Sequence, residues 1–226
     1  MPLPQSIRSA VPKGVRDQPT LRAAALALGL IPPRTMHSAA EADALARLAR
    51  SATRVVEIGV YEGSSAVVLC RAMTPGSELH LIDPYVDESG WALPANWSSV
   101  PVAARMAVWR VARHGGPKTR WRIARSQDVG RGWTGGEVDF VFIDGDHSPD
   151  GCREDWDVWH RHVRVGGSVA FHDARLEQPN GTGSPGPTTV VDELFRSPAP
   201  PEGWSIANEV DTLVVVRRDA QPSTAA

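Results

Sequence analysis

Two periods run through this chain and separate cleanly. Val55-Val-Glu-Ile58, Leu79-His-Leu-Ile82, Trp121-Arg-Ile-Ala124, Val138 to Ile143 and Ser168 to Phe171 are short runs rich in apolar residues, which predicts strands. Between them, apolar residues recur at helical spacing in Ser64 to Met73, in a segment ending near His114, in Pro149 to His162 and in Thr189 to Phe195. Ahead of the first strand, Thr20 to Leu30 predicts a short helix stopped by Pro32-Pro33. Ser38-Ala-Ala-Glu41 reads as a capping box opening a helix to about Ser51. Trp204 to Glu209 and Thr212 to Arg217 read as a closing antiparallel pair. Strands that alternate with helices predict an α/β fold, a mostly parallel sheet with helices on both faces.

Composition narrows the class without changing that picture. A chain of 226 residues, 42% hydrophobic and 22% charged, suits one soluble domain with a real core. A formal net charge of −2 with no basic block gives no reason to expect nucleic acid as a partner. Cys70 and Cys152 fall in predicted helices without metal-binding spacing and are expected to be buried free thiols. No apolar run is long enough to span a membrane. Leu21 to Ile31 has the outline of a signal peptide, but Asp17 interrupts the basic region before it and its leucines repeat at helical spacing; an amphipathic helix and a cytoplasmic protein are expected. Residues 1–37 are read as an arm with a short helix, 38–218 as the domain, and 219–226 as a disordered tail.

The candidate chemistry lies where strands end. Val138 to Ile143 runs into Asp144-Gly-Asp-His147, and Ser168 to Phe171 into His172-Asp173. Bare carboxylates are costly inside a buried strand, so they belong at its carboxyl end, where open α/β sheets bind ligands. Asp144, His147, His172 and Asp173 are therefore expected to converge, a pattern that suits a metal and a base. His147 has an ordinary pKa of about 6.5, suited to proton removal near neutrality. A surface or helix-capping histidine is the plainer alternative. Asp146 either orients His147 or caps the following helix.

A second site is written in Glu57-Ile-Gly-Val-Tyr-Glu-Gly-Ser-Ser65. Gly59 and Gly63 permit a tight turn at a helix N-terminus. Asp83, twenty residues past Gly63, ends the next strand, where an acid can accept hydrogen bonds from ribose hydroxyls. A dinucleotide loop needs glycine where Tyr61 stands, and Glu57 adds negative charge, so a polyanionic cofactor is disfavoured. An acid-rich pocket suits a ligand carrying an amine and a sulfonium. The plainer readings are ordinary turn glycines, a helix-capping Glu57 and an Asp83 that starts a turn before Pro84.

These residues resemble the class I S-adenosylmethionine-dependent methyltransferases. Glu57-x-Gly59-x-x-x-Gly63 looks like their first motif, Asp83 like their ribose-binding acid, and Ser126-Gln127-Asp128 like their adenine-side segment. Phe142-Ile-Asp-Gly-Asp-His-Ser148, with Gly166-Gly167 and Phe171-His-Asp173, resembles a bacterial subgroup that includes metal-dependent sugar O-methyltransferases of antibiotic biosynthesis, such as the macrocin and mycinamicin enzymes. The resemblance implies a Rossmann-like methyltransferase fold of seven strands with a C-terminal antiparallel hairpin. It implies S-adenosyl-L-methionine held by Glu57, Gly59, Tyr61, Gly63, Ser64, Asp83, Ser126, Gln127 and Asp144. It implies a divalent metal, Mg²⁺ first, on Asp144, His172 and Asp173, with His147 as general base. Histidine at 172 departs from the acid–acid or acid–amide pair of relatives and admits Mn²⁺, Fe²⁺ or Zn²⁺. The implied acceptor is a small hydroxylated molecule such as a sugar or natural product. Association with further copies of the chain stays open.

Of the remaining residues, Trp156 and Trp159 are expected to pack on the sheet, and His160 and His162 to be structural. Trp91 and Trp97, with Asp87 and Glu88, lie in a loop from Pro84 to about Ser99 that suits either substrate contact or packing. Arg175 and Gln178–Pro187 are candidates for a lid. The rival functions are N-methyl transfer, metal-independent methyl transfer, a nicotinamide-dependent oxidoreductase and a metal-dependent hydrolase.

Overall fold

The computed structural model describes residues 18–85 and 100–219. Residues 1–17 of the N-terminal arm, residues 86–99 with Asp87, Glu88, Trp91 and Trp97, and the tail from 220 lie outside the described residues. In chain order the elements are α1 (Pro19–Ala27), α2 (Ala39–Ala49), β1 (Arg54–Ile58), α3 (Ser64–Ala72), β2 (Glu78–Ile82), α4 (Val100–Ala112), β3 (Lys118–Arg122), α5 (Ser126–Arg131), β4 (Val138–Ile143), α6 (Pro149–Trp159), β5 (Val163–Phe171), α7 (Pro185–Phe195), β6 (Trp204–Val210) and β7 (Leu213–Arg218). A 3₁₀ turn, His160–His162, follows α6.

The strands form one seven-stranded sheet in the order β3-β2-β1-β4-β5-β7-β6. Strands β1 to β5 pair in parallel, and β7 enters antiparallel between β5 and β6. The α/β class, the seven strands and the closing hairpin all match the sequence pattern. The chain leaves β1 toward β2 on one side and returns through β4 on the other, so the strand order reverses between β1 and β4. In open α/β sheets a ligand crevice forms above such a point.

Period-two alternation splits the central strands between two cores. Val56, Ile58, Val141 and Ile143 face the side covered by α6 and α7, where Trp156, Trp159, Val190 and Phe195 are buried. Val55, Phe140 and Phe142 face α2 and α3, with Leu45, Leu69 and Cys70. The tryptophans pack as expected: Trp159 is fully buried, and the Trp156 ring meets Phe195 edge-on at 5.0 Å and Trp204 at 4.8 Å. His160 stacks on Trp156 at 4.8 Å, and His162 Nε2 lies 2.9 Å from the Gly130 carbonyl, both structural places. Cys70 and Cys152 are buried free thiols, each pushed up to about 12 by burial first.

Boundaries moved where an element lies at an edge or starts in a proline-rich stretch. β3 begins three residues before the expected Trp121, because this edge strand alternates exposed and half-buried positions and shows no apolar run. β5 starts at Val163 rather than Ser168; its pairing with β4 shifts register between Val138 and Phe140, where Gly166 adopts φ 77°. α7 starts at Pro185, since proline presets the first turn of a helix. α5 had no apolar period to announce it.

Gly59 is the tightest point of the frame. It adopts φ 83°, and a Cβ built there would lie 1.9 Å from the Asp144 carbonyl oxygen. Only glycine lets the turn after β1 pass this close to the turn after β4. Gly59→Ala should therefore lose at least ~2 kcal/mol of stability, from strain and overpacking together. Urea unfolding followed by circular dichroism measures it; an unchanged midpoint would show that the two turns can separate freely.

Candidate active site

The sheet ladder extends one residue past the strands and aligns the candidate residues in a row. Asp83 N donates to the Arg122 carbonyl (3.1 Å), Gly59 N to Ile82 (2.9 Å), Asp144 N to Ile58 (2.8 Å) and His172 N to Ile143 (3.0 Å). Strand spacing of about 4.8 Å then places these residues side by side along the carboxyl edge.

On the β1–β2 side lies a cleft of about 310 Å³. Of the cofactor residues expected from sequence, Gly59, Tyr61, Ser64, Asp83, Ser126, Gln127 and Asp144 line it. Asp83 Oδ2 accepts from the backbone N–H groups of Val60 and Tyr61, both at 2.8 Å, and Oδ1 from Tyr85 N at 2.6 Å. The acid thus fixes the glycine loop as well as facing the cleft. Tyr61 holds a left-handed φ of 47°, and Gly63 caps α3 with φ 85°. Glu57 lies beneath the floor. It is fully buried, accepts from Ser65 Oγ through Oε1, and its Oε2 is unpaired. Burial, with Asp144 and Asp83 adding to it, raises its carboxyl well above the usual range against the Ser65 bond.

Several cleft residues were not singled out in the sequence. Arg34, Met36 and His37 approach from the segment before α2. Arg34 Nη1 donates to Tyr61 Oη (3.0 Å), and His37 Nε2 lies 3.2 Å from Ser64 Oγ. Glu62 anchors this segment, accepting both Arg22 Nε (2.7 Å) and the Arg34 backbone N–H (2.7 Å). Tyr85 lines the cleft near Asp83. Asp155 of α6 reaches it as well, only 1% exposed, and accepts from Ser126 Oγ and from Gln127 Nε2 (2.9 Å) at one oxygen. A sequence signal existed for Asp155. It shares the buried stripe of α6 with Cys152, Trp156 and Trp159, and an acid on such a stripe needs a partner.

On the β4–β5 side the four expected residues meet. One ligand-type atom from each of Asp144, His147, His172 and Asp173 lies within 4.8 Å of the others. His172 Nδ1 is 3.0 Å from Asp144 Oδ1 and 3.4 Å from Asp173 Oδ2. His147 Nε2 is 3.6 Å and 3.4 Å from the same two carboxylates. These imidazole nitrogens are buried yet have no aligned hydrogen bond. Four ligand-type atoms this close together, with buried nitrogens that lack hydrogen-bond partners, fit a cation. A donor set that includes imidazole nitrogen beside two carboxylates suits Mn²⁺, Fe²⁺ or Zn²⁺ better than Mg²⁺, which prefers oxygen.

The cluster is braced from behind. Glu41, the capping-box acid of α2, accepts from Thr212 N (2.8 Å) and Thr212 Oγ1 (2.7 Å) and stands 3.6 Å from His172 Nε2. Thr212 Oγ1 is also 3.2 Å from Asp173 Oδ1, and Asp173 itself is held at φ 52°. Asp146 accepts from Ser148 N (2.8 Å) and so caps the turn into α6. Arg175 is tied to the β6–β7 hairpin through the Asp211 carbonyl (2.9 Å). Asp144 and then Asp173 push the His147 imidazole up to about 9. Burial would lower His172, but Asp144, Asp173 and Glu41 overcome it and raise it. Burial would raise both carboxyls; the histidines outweigh that and hold Asp144 and Asp173 below the usual range.

A family model described as a methyltransferase domain matches residues 56–174, the span from β1 to the end of the cluster. The chain belongs to this methyltransferase domain family and is an enzyme of the methyl-transferring class. Among solved structures it is similar to a protein from Corynebacterium glutamicum, at 21% identity and a TM-score of 0.61, covering 96% of each chain. It is similar to TomG of Streptomyces achromogenes, an O-methyltransferase involved in tomaymycin synthesis and solved with SAM, at 21% identity, a TM-score of 0.54 and 95% of each chain. An O-methyltransferase from Bacillus cereus in complex with SAH matches at 15% identity and a TM-score of 0.53, over 94% of this chain and 96% of that one. At these identities the likeness is one of fold.

Asp155 generates a prediction about pH. Burial first, then Asp146 and Glu154, push its carboxyl up to about 7 from 3.8, against the Ser126 hydrogen bond. Between those values the folded chain keeps a proton that the unfolded chain has lost, so stability falls as pH rises through the window and levels off above it. Relative to Asp155→Asn, the native protein should lose roughly 2–4 kcal/mol between about pH 4 and pH 8. Urea unfolding of both proteins across pH measures this; parallel curves would mean that Asp155 titrates as an ordinary acid.

Proposed function

We propose that this protein transfers the methyl group of S-adenosylmethionine to a hydroxyl of a small molecule, with a divalent metal held by Asp144, His172 and Asp173 and with His147 as the base. The observation that carries the reading is the double place of Asp144, which lines the cleft and belongs to the four-residue cluster. A methyl donor in the cleft and an acceptor at the cluster would meet across it. The relatives TomG and the Bacillus cereus enzyme, both O-methyltransferases, add support.

The cofactor supplies an electrophilic methyl group, and a metal at the cluster supplies charge that makes an acceptor hydroxyl easier to ionise. The chain's own residues do the rest. Asp83 presents its carboxylate to ribose hydroxyls. Glu57, beneath Ser65, holds latent negative charge that a sulfonium-bearing ligand above it would draw out. Asp144 and Asp173 fix the acceptor side, with Thr212 and Glu41 holding their geometry. His147, whose side chain is about one-third exposed, takes the acceptor's proton. In the chain alone its carboxylate neighbours keep it protonated at neutral pH; positive charge among them opposes that and frees the nitrogen. Holding donor and acceptor in line supplies much of the acceleration.

Three results test the reading. His147→Ala should slow single-turnover methyl transfer by roughly 10²–10⁴-fold with cofactor affinity intact. Metal affinity separates base from ligand, since it stays near normal only if Nε2 serves as the base. Asp83→Ala should weaken S-adenosylhomocysteine binding by about 1–3 kcal/mol in calorimetry. Exhaustive chelation should abolish turnover, and Mn²⁺ should restore it better than Mg²⁺. Full activity after chelation would favour a metal-independent enzyme, in which histidine–aspartate ion pairs alone hold the cluster.

A further inference from the structure

We infer that Asp155 is a specificity-positioning residue: it locks the side-chain amide of Gln127 so that the cleft accepts a 6-aminopurine and rejects a 6-oxopurine. The inference rests on the cofactor reading above and goes beyond it to the base the cleft selects. Asp155 Oδ1 receives both Ser126 Oγ and Gln127 Nε2, the latter at 2.9 Å. An ionised carboxylate only accepts hydrogen bonds, and a protonated one can still accept at Oδ1. In this arrangement the amide turns its NH₂ edge to Asp155. The opposite edge, carbonyl Oε1, is left as the acceptor that Gln127 offers the cleft it lines.

That orientation is not an arbitrary choice of rotamer. An amide on a half-exposed surface turns over easily, because its two ends have the same shape. Here Asp155 is 1% exposed on α6 and Ser126 is 5% exposed at the start of α5, so the anchor is rigid and the amide follows it. A fixed carbonyl pairs with the exocyclic amine of adenine. It opposes the carbonyl of hypoxanthine, and a buried polar site whose partner is wrong discriminates strongly. Ser126 is occupied by the same carboxylate, so its hydroxyl hydrogen is not available to rescue an oxo group.

Isothermal titration of the full chain with S-adenosylhomocysteine and S-inosylhomocysteine tests this. The native protein should prefer the adenosyl compound by about 100-fold or more. Asp155→Ala frees the amide to turn over, and its preference should fall at least ~10-fold, chiefly through tighter inosyl binding. Asp155→Asn keeps an acceptor oxygen in place and should retain the native preference. If the alanine protein does not fold, Asp155→Ser serves in its place, because a hydroxyl can face either edge of the amide; the same loss is expected. A folded Asp155→Ala or Asp155→Ser protein with undiminished preference overturns the inference, as does an asparagine variant that loses it. A native protein that binds the adenosyl compound without preference also overturns it, while the cofactor reading stands. Binding of neither compound removes the cofactor reading itself.

Discussion

One row of backbone hydrogen bonds orders the candidate site of this protein. It crosses the carboxyl edge of the sheet just beyond the last paired residues of β1, β2, β4 and β5 and sets Asp83, Gly59, Asp144 and His172 at one level. The ladder fixes main chain and not side chain, so the row constrains sequence chiefly at Gly59, where no Cβ fits against Asp144. The acids stand where the strands meet solvent, which meets the rule that unpaired charge is costly inside a sheet. The cleft and the cluster are thus two stretches of one edge, sharing Asp144.

The exception to the rule is Glu57, two positions before the row and fully buried. It tolerates that place through Ser65 and through a raised affinity for its proton. Its unpaired oxygen means that the floor of the cleft holds latent negative charge, which a cationic ligand above it would draw out. The strained backbone at Tyr61 and Asp173 belongs to the same economy of design, since both residues flank the edge in left-handed conformations.

What was legible in the sequence follows from what is local. The glycine turn, the acid of β2 and the strand-end pairs announced themselves because each interrupts an apolar run at a definite point. The parallel order and the closing hairpin followed from the alternation of periods. β3, a half-exposed edge, was read only from Trp121 onward, and α5, a helix of six residues, gave no such contrast. Glu41 was legible as a capping residue but not as the neighbour of His172, because that role depends on a contact with Thr212 across 171 positions. Arg34 and His37 lie in a segment whose course over the cleft is set by Arg22 and Glu62, and no local pattern encodes it. Asp155 left a trace, an acid within an apolar stripe, which the neighbouring tryptophans obscured.

The bond between Glu41 and Thr212 also bears on how the protein comes into being. A chain emerging from the ribosome makes β1, β2 and β4, and with them most of the cleft, well before Thr212 exists. The brace behind His172 and Asp173 closes only when the hairpin at the far end inserts β7 between β5 and β6 and meets a helix made near the start. The brace is therefore the last part of the site to be synthesised. Loss of the hairpin would take Thr212 away from Glu41 and Asp173 without removing any residue that lines the cleft.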